Sequence, residues 1–286
     1  MTVETQRLPA EAECHAWNQD FEWSAPSGPY RCLSSEQAAA WSESGYFLLE
    51  DAFAPDELEA LTTDLDALDD KVTAFLRTQP DGKLMINEDG NITFMSHAVL
   101  QSAAARAFCG HAVFQDLGHD LIGPDVRLYW DQGVYKKPDK PGTFPWHQDN
   151  GYTYVEPQQY LTCWVALTDA TVENGCPWVV PGLHRCGTLK HWISPAGFQC
   201  LEDPEGAVPV EAKAGSIVVF SSLTPHATGP NTSDGVRKAY IVQFAPDGAS
   251  IRGGQPGRSP VTELAADPGR QFPILVGGEP VAPPAA

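Results

Sequence analysis

The residues best suited to chemistry in this chain lie in Pro145-Trp146-His147-Gln148-Asp149-Asn150, near the middle of the sequence. The core of this stretch is a His-x-Asp pair. On an extended segment, residues two apart project from the same side, so His147 and Asp149 point together while Gln148 faces away. An imidazole nitrogen and a carboxylate oxygen on one face supply two thirds of the 2-His-1-carboxylate triad that holds non-heme Fe(II) and leaves coordination positions open. A His-x-Asp pair alone is a common surface feature, so its meaning depends on a third ligand elsewhere in the chain. Downstream, the apolar run Gly215-Ser216-Ile217-Val218-Val219-Phe220 leads to Pro225-His226. His226 is far enough along the chain to come from a separate strand, as a triad assembled in a barrel mouth requires. Arg237 sits eleven positions beyond it, past turn signals at Pro230-Asn231 and Asp234-Gly235. A hairpin of that length carries the guanidinium back beside His226, where its planar fork of donors suits a carboxylate. Thr228, two residues past His226, offers a hydroxyl to the same anion.

The whole chain limits what these groups can serve. It has 286 residues, 42% of them apolar and 10% aromatic, an ordinary globular composition with enough material for a sizeable core. Eighteen basic residues against 37 acidic ones give a net charge of -19, which opposes binding to a phosphate backbone and argues against a nucleic-acid partner. An anionic cosubstrate must then be held by local cations, the part Arg237 is placed to play. Seven scattered cysteines without a Cys-x-x-Cys pair fit neither a disulfide framework nor a zinc ribbon, and read as free thiols. The first twelve residues lack an apolar signal core, and no apolar run approaches the ~18 residues that span a bilayer. The expectation is a cytoplasmic protein with no membrane partner; the sequence is silent on oligomeric state.

The elements that must position the site fall in two textures. Residues 1–33 form an irregular arm that packs by its aromatics. Ser34-Ser35-Glu36-Gln37 opens a helix, and Gly45 to Glu50 is a short strand. Pro55-Asp56-Glu57-Leu58 starts a second helix, with Leu58, Leu61, Leu65 and Leu68 as its buried stripe. Lys83 to Ile86 and Ile92 to Met95 read as paired strands, and 99–122 as one or two helices. From Asp125 the chain becomes short strands separated by Gly, Pro and Asn turns. Helices over about 34–122 followed by a β core over about 125–248 predict a mainly β fold with buttressing helices, a β-sandwich or barrel. A single domain would then run over 1–248, with 249–286 as a Gly/Pro-rich, mostly irregular tail.

With these residues in place, the sequence resembles the phytanoyl-CoA dioxygenase (PhyH) family of Fe(II)/2-oxoglutarate-dependent oxygenases over about 36–244. The likeness is carried by Lys136-Lys137-Pro138, Pro145-Trp146-His147-Gln148-Asp149, Trp164-Val165-Ala166-Leu167-Thr168-Asp169, Glu173-Asn174-Gly175, Pro181-Gly182-Leu183-His184, and Pro225-His226 with Arg237-Lys238. The resemblance implies a double-stranded β-helix (jelly roll, cupin-like) and assigns iron to His147, Asp149 and His226. It also implies that Arg237, assisted by Thr228, holds the distal carboxylate of 2-oxoglutarate, and that Trp164 lines the cosubstrate pocket. The implied activity is hydroxylation of a small organic molecule, with 2-oxoglutarate and O₂ as cosubstrates and succinate and CO₂ as products. The family's Pro-Gly-Ser-His stretch is Pro-Gly-Leu-His here. A lysine that contacts 2-oxoglutarate in some members aligns near Met95, with His97 and Asn91 as nearby stand-ins. Retention of Asp149 argues against halogenation.

Other residues read less specifically. Tyr152 and Tyr154, close behind Asp149, are candidates to cover the substrate, and Gln132 and Lys136 to reach the site; the alternative for Lys136 is a solvated loop residue. Lys238 competes with Arg237 for the anion, but adjacent strand residues face opposite sides. His184 reads as the end of a turn and His191 as solvated. Two other functions use parts of the same set: a non-catalytic cupin-like small-molecule-binding protein, and a zinc hydrolase that leaves Arg237 without a role.

Overall fold

Two antiparallel sheets of unequal size face one another, and the computed structural model describes them for residues 8–254 and 260–285. The larger sheet runs in the order Tyr46–Leu49, Ile217–Ser221, Leu161–Ala166, Arg237–Pro246, Val126–Lys136, Ile92–Ser96, Asn87–Glu88, Lys83–Leu84. The smaller has four strands, Val208–Pro209, Pro177–Val179, His226–Thr228 and Phe144–His147. This is the double-stranded β-helix expected from the sequence.

Strand alternation explains why the central strands of the large sheet are buried on both faces. Trp164, Ala166, Val218, Phe220, Ala239 and Ile241 point inward, where they meet Phe144 and Val179 of the smaller sheet. Their neighbours Cys163, Val165, Ile217, Val219, Tyr240 and Val242 point to the opposite face and are buried beneath the helices. A sheet covered on both faces therefore reads as continuous apolar runs rather than as an alternating pattern.

The helices form as their sequence signals dictate. Ser34 caps Ser35–Ser44 through a reciprocal pair with Gln37, satisfying two otherwise orphaned donors. Pro55–Leu76 begins with Pro in its first turn and buries Leu58, Leu61, Leu65 and Leu68 on the sheet. The 99–122 region divides into Ala103–Cys109 and Ala112–Leu121. The N-terminal arm packs by its aromatics, with Trp23 against Trp41 and Trp17 edge-on to Tyr154. No disulfide joins any of the seven cysteines. No helix among the described residues is long and apolar enough to cross a membrane.

Two expectations need correction. Lys83–Leu84 does not pair with Ile92–Ser96 directly; the short strand Asn87–Glu88 lies between them, because the chain reverses tightly at Met85-Ile86. The described residues of 249–286 do not form an irregular tail; positions 255–259 and 286 lie outside them. Ser250–Gly253 pairs with both Tyr154–Glu156 and Val261–Leu264, and Pro273–Val276 pairs with Val126–Lys136. Its Phe272, Ile274 and Leu275 are buried in the main core, so a few apolar residues between the glycines and prolines dock it.

Candidate metal centre

His147 ends one strand of the smaller sheet and His226 begins its neighbour, and the two are register partners with ring centroids 4.1 Å apart. The strand stops at His147. Gln148 keeps an extended backbone, and Asp149 opens the single helical turn Asp149–Tyr152. The extended Gln148 leaves His147 and Asp149 on one side, as the spacing predicted. One ligand atom from each of His147, Asp149 and His226 lies within 4.8 Å of the others.

Each ring is oriented by its own backbone. His147 Nδ1 lies 2.9 Å from the Pro145 carbonyl and His226 Nδ1 lies 3.1 Å from the Thr224 carbonyl. A carbonyl can only accept, so both Nδ1 atoms carry hydrogen and both Nε2 lone pairs are left for a metal. Burial lowers His147 to about 3, with the charge of His226 adding to the effect, and lowers His226 to about 4. Both imidazoles are therefore neutral at physiological pH, the form that ligates. Asp149 Oδ1 stands 3.8 Å from His226 Nε2, and its Oδ2 accepts from Thr162 Oγ1 at 2.6 Å. Burial raises the Asp149 carboxyl, against the pull of His147 and Thr162. A bound cation would reverse that shift. Two neutral imidazoles and a carboxylate converging on one point fit Fe(II) well.

The triad lines a cavity of about 710 Å³ that also includes Arg237, Thr228, Trp164, Gln132 and Tyr152. Arg237 is buried; its Nη1 donates to the Val134 carbonyl at 3.3 Å, while Nε and Nη2 have no partner among the described residues. Its guanidinium lies 5.1 Å from the Trp164 ring centroid, a cation–π contact that holds the fork in place. A buried cation with two unused donors in a cavity is a seat for an anion. Thr228 Oγ1 accepts from Lys136 Nζ at 2.9 Å. Lys238 takes the opposite face, donating to Asp66 on the helix Pro55–Leu76.

Some residues stand elsewhere than expected. Tyr152 lies edge-on to His147 at 5.2 Å, but Tyr154 falls outside the cavity lining and packs on His15 and Trp17. The helical turn brings Tyr152 round to the side of Asp149, whereas Tyr154 starts a strand facing away. Lys136 is buried rather than solvated, donating to Thr228 and to the Gly229 carbonyl. His191 is not solvated either: its Nε2 accepts from the Gln148 backbone N–H at 2.9 Å. His184 is buried against Trp23, and His97 packs on Trp130 outside the cavity lining. Met95 faces the helices, and Asn91 donates to Glu88.

Gln148 went unrecognised in the sequence as a support. Its side chain donates to the carbonyls of Gly187 and Leu223 and accepts from the Leu189 N–H at 2.6 Å, tying the loop before His226 to the His-x-Asp segment. Its partners are distant in sequence, so only its position between two ligands hinted at this.

Two imidazoles and a carboxylate inside a jelly roll define the class of non-heme iron oxygenases with a facial triad. Residues 41–239 match the family model "Phytanoyl-CoA dioxygenase (PhyH)", and the chain belongs to that family of Fe/2-oxoglutarate-dependent oxygenases. It is 25% identical over 246 residues to a phytanoyl-CoA dioxygenase of Arabidopsis thaliana, covering 73% of this chain and 87% of that protein. Among solved structures it is similar to SnoK, a non-heme alpha-ketoglutarate-dependent carbocyclase from nogalamycin biosynthesis. That match has a TM-score of 0.65 and 24% identity over 82% of this chain and 95% of that one. The epimerase SnoN in complex with Fe3+, alpha-ketoglutarate and nogalamycin RO gives a TM-score of 0.59 at 20% identity, covering 80% and 93%. At these identities the structural likeness speaks to the fold.

Proposed function

We propose that this chain hydroxylates an unactivated C–H bond of a small organic molecule. In the overall reaction, substrate, 2-oxoglutarate and O₂ give the alcohol, succinate and CO₂, with one oxygen atom of O₂ in each of the first two products. Iron bound at the triad supplies open positions for 2-oxoglutarate and O₂ and the oxidising power that their reaction delivers to the C–H bond. The observation that carries this reading is the shared cavity: a metal triad and an Arg237 fork with two nitrogens unpaired among the described residues face the same space.

The chain's own groups bind and orient. His147, Asp149 and His226 hold the metal, with each imidazole fixed by a backbone carbonyl. Arg237 grips the distal carboxylate of 2-oxoglutarate, Thr228 adds its hydroxyl, and Trp164 keeps the guanidinium from swinging. The buried walls exclude water from the reacting centre. A non-catalytic binder has no use for this whole set, and a zinc hydrolase leaves Arg237 idle.

The test is succinate formation from the anaerobically iron-loaded protein with ascorbate and 2-oxoglutarate, before and after O₂ is admitted. O₂-dependent succinate, lost in His226→Ala, supports the oxygenase. Silence after O₂ favours the binding protein.

A further inference from the structure

The charged side chains that line the cavity are Asp149 and Arg237, and the ionisable imidazoles are His147 and His226. All four are engaged by iron and 2-oxoglutarate in the function proposed above. The rest of the lining among the described residues holds no acid and no base. Its polar members, such as Asn87 and Gln132, are neutral, and its larger surfaces are aromatic or aliphatic.

Those surfaces lead from the metal site outward. The Tyr152 ring lies 5.2 Å from that of His147, and Phe198 lies 5.1 Å from Tyr152, both edge-on. Phe198 belongs to the hairpin Trp192–Ser194 and Gly197–Gln199, which faces the hairpin Lys83–Leu84 and Asn87–Glu88. The two touch: Lys83 Nζ donates to the Pro195 carbonyl at 3.1 Å, which turns the ammonium onto the backbone and leaves Lys83 outside the lining. Gly197 permits the approach, since a Cβ there would sit 2.6 Å from Tyr152 Oη and 3.3 Å from Ile86 Cγ2. Met85 and Ile193 line the cavity yet are 84% and 82% exposed, so they form its solvent-side rim.

We infer that the substrate is an uncharged, mainly apolar, ring-bearing molecule, and that Met85 and Ile193 select it at the rim. This rests on 2-oxoglutarate occupying Arg237. A carboxylate, phosphate or coenzyme A group entering the remaining space would be desolvated with no counter-ion among the lining residues, which weakens its binding. The net charge of -19 adds long-range repulsion. A neutral ring system instead gains contact on the aromatic and aliphatic walls and needs only a few hydrogen bonds to neutral amides.

The test uses the full chain with iron and 2-oxoglutarate bound under anaerobic conditions, with cosubstrate binding read on the same sample by its charge-transfer absorption. Three probes are titrated by equilibrium dialysis: anthracenemethanol, anthracenecarboxylate and decanoyl-CoA. The alcohol is expected to bind saturably and at least about tenfold more tightly than the carboxylate, with no saturable binding of the acyl-CoA. Ile193→Lys, at an exposed rim position, adds a solvent-screened positive charge and should shrink the alcohol's advantage about threefold. If 2-oxoglutarate itself fails to bind, the oxygenase reading fails. If it binds but the carboxylate or acyl-CoA matches the alcohol, or the alcohol does not saturate, the substrate class is overturned. An unchanged preference in Ile193→Lys removes the rim's role.

Discussion

Lys136 and Arg237 are register partners on adjacent antiparallel strands, two basic side chains buried side by side at the edge of the metal site. Burial, followed by the charge of Arg237, lowers Lys136 to about 6, and burial lowers Arg237 to about 10. A carboxylate docking on Arg237 offsets that repulsion and raises the Lys136 value. At pH 7 the lysine is mostly deprotonated before binding and takes up a proton on binding. Calorimetry of 2-oxoglutarate binding in two buffers of different ionisation enthalpy should therefore show net proton uptake. Lys136→Met should abolish the uptake and weaken 2-oxoglutarate about tenfold, since Thr228 loses its tether. Buffer-independent heats in the wild-type protein contradict this.

Arg237→Leu separates cosubstrate binding from folding. Losing the charge-assisted bonds to a carboxylate costs about 3 kcal/mol, or roughly a hundredfold in 2-oxoglutarate affinity. The unliganded protein, relieved of a buried cation with two unpaired nitrogens, should melt no lower than wild type. A large drop in melting temperature would assign Arg237 a structural role instead.

Gln148→Leu is expected to loosen the metal site from behind. It leaves the Gly187 and Leu223 carbonyls and the Leu189 N–H without their side-chain partner, at a cost of about 3 kcal/mol. Because Gln148 joins the segments bearing His147 and His226, Fe(II) affinity should fall roughly 10–100-fold, as loss of outer-shell support usually does. Unaltered iron affinity in a destabilised variant would confine Gln148 to folding.

Acid should destabilise the metal-free protein well before its carboxylates are exhausted. His97 and His184, both away from the metal ligands, are lowered mainly by burial to about 4 and about 3. His191, His147 and His226 are lowered likewise. The unfolded imidazole titrates near ~6.5, so below that pH the unfolded chain binds protons the native chain refuses, and stability is lost down to the native values. Asp131, raised to about 6 by burial, and Asp149, also raised, act in the opposite sense, but they are two carboxyls against six imidazoles, since burial lowers His15 too. The melting temperature should fall by roughly 5 °C or more between pH 7 and pH 5. An equal or higher value at pH 5 contradicts the shared burial of these rings.

The triad was legible in the sequence because its logic is local: a period of two places His147 with Asp149, and strand-turn signals bracket His226 and Arg237. Short strands after helices predicted a β-sandwich or barrel, and the family resemblance narrowed that to a jelly roll. What remained hidden depends on distant partners. Lys136 beside Lys137 and Pro138 reads as a loop until Arg237–Pro246 pairs against it. Gln148 finds its partners more than thirty residues away. Tyr152 and Tyr154 share a strand period in sequence, and only the helical turn at Asp149–Tyr152 separates them. The glycines and prolines after Ala249 concealed the strands that Phe272, Ile274 and Leu275 anchor.

The most direct test of the central claim is an anaerobic titration of the Fe(II)-loaded protein with 2-oxoglutarate, followed by visible absorption. A saturable charge-transfer band is expected in the wild type. It should be absent in His147→Ala and His226→Ala, which lack a metal ligand, and should require roughly a hundredfold more 2-oxoglutarate in Arg237→Leu. No band in the wild type at millimolar 2-oxoglutarate, or an undiminished band in the triad variants, would contradict the account.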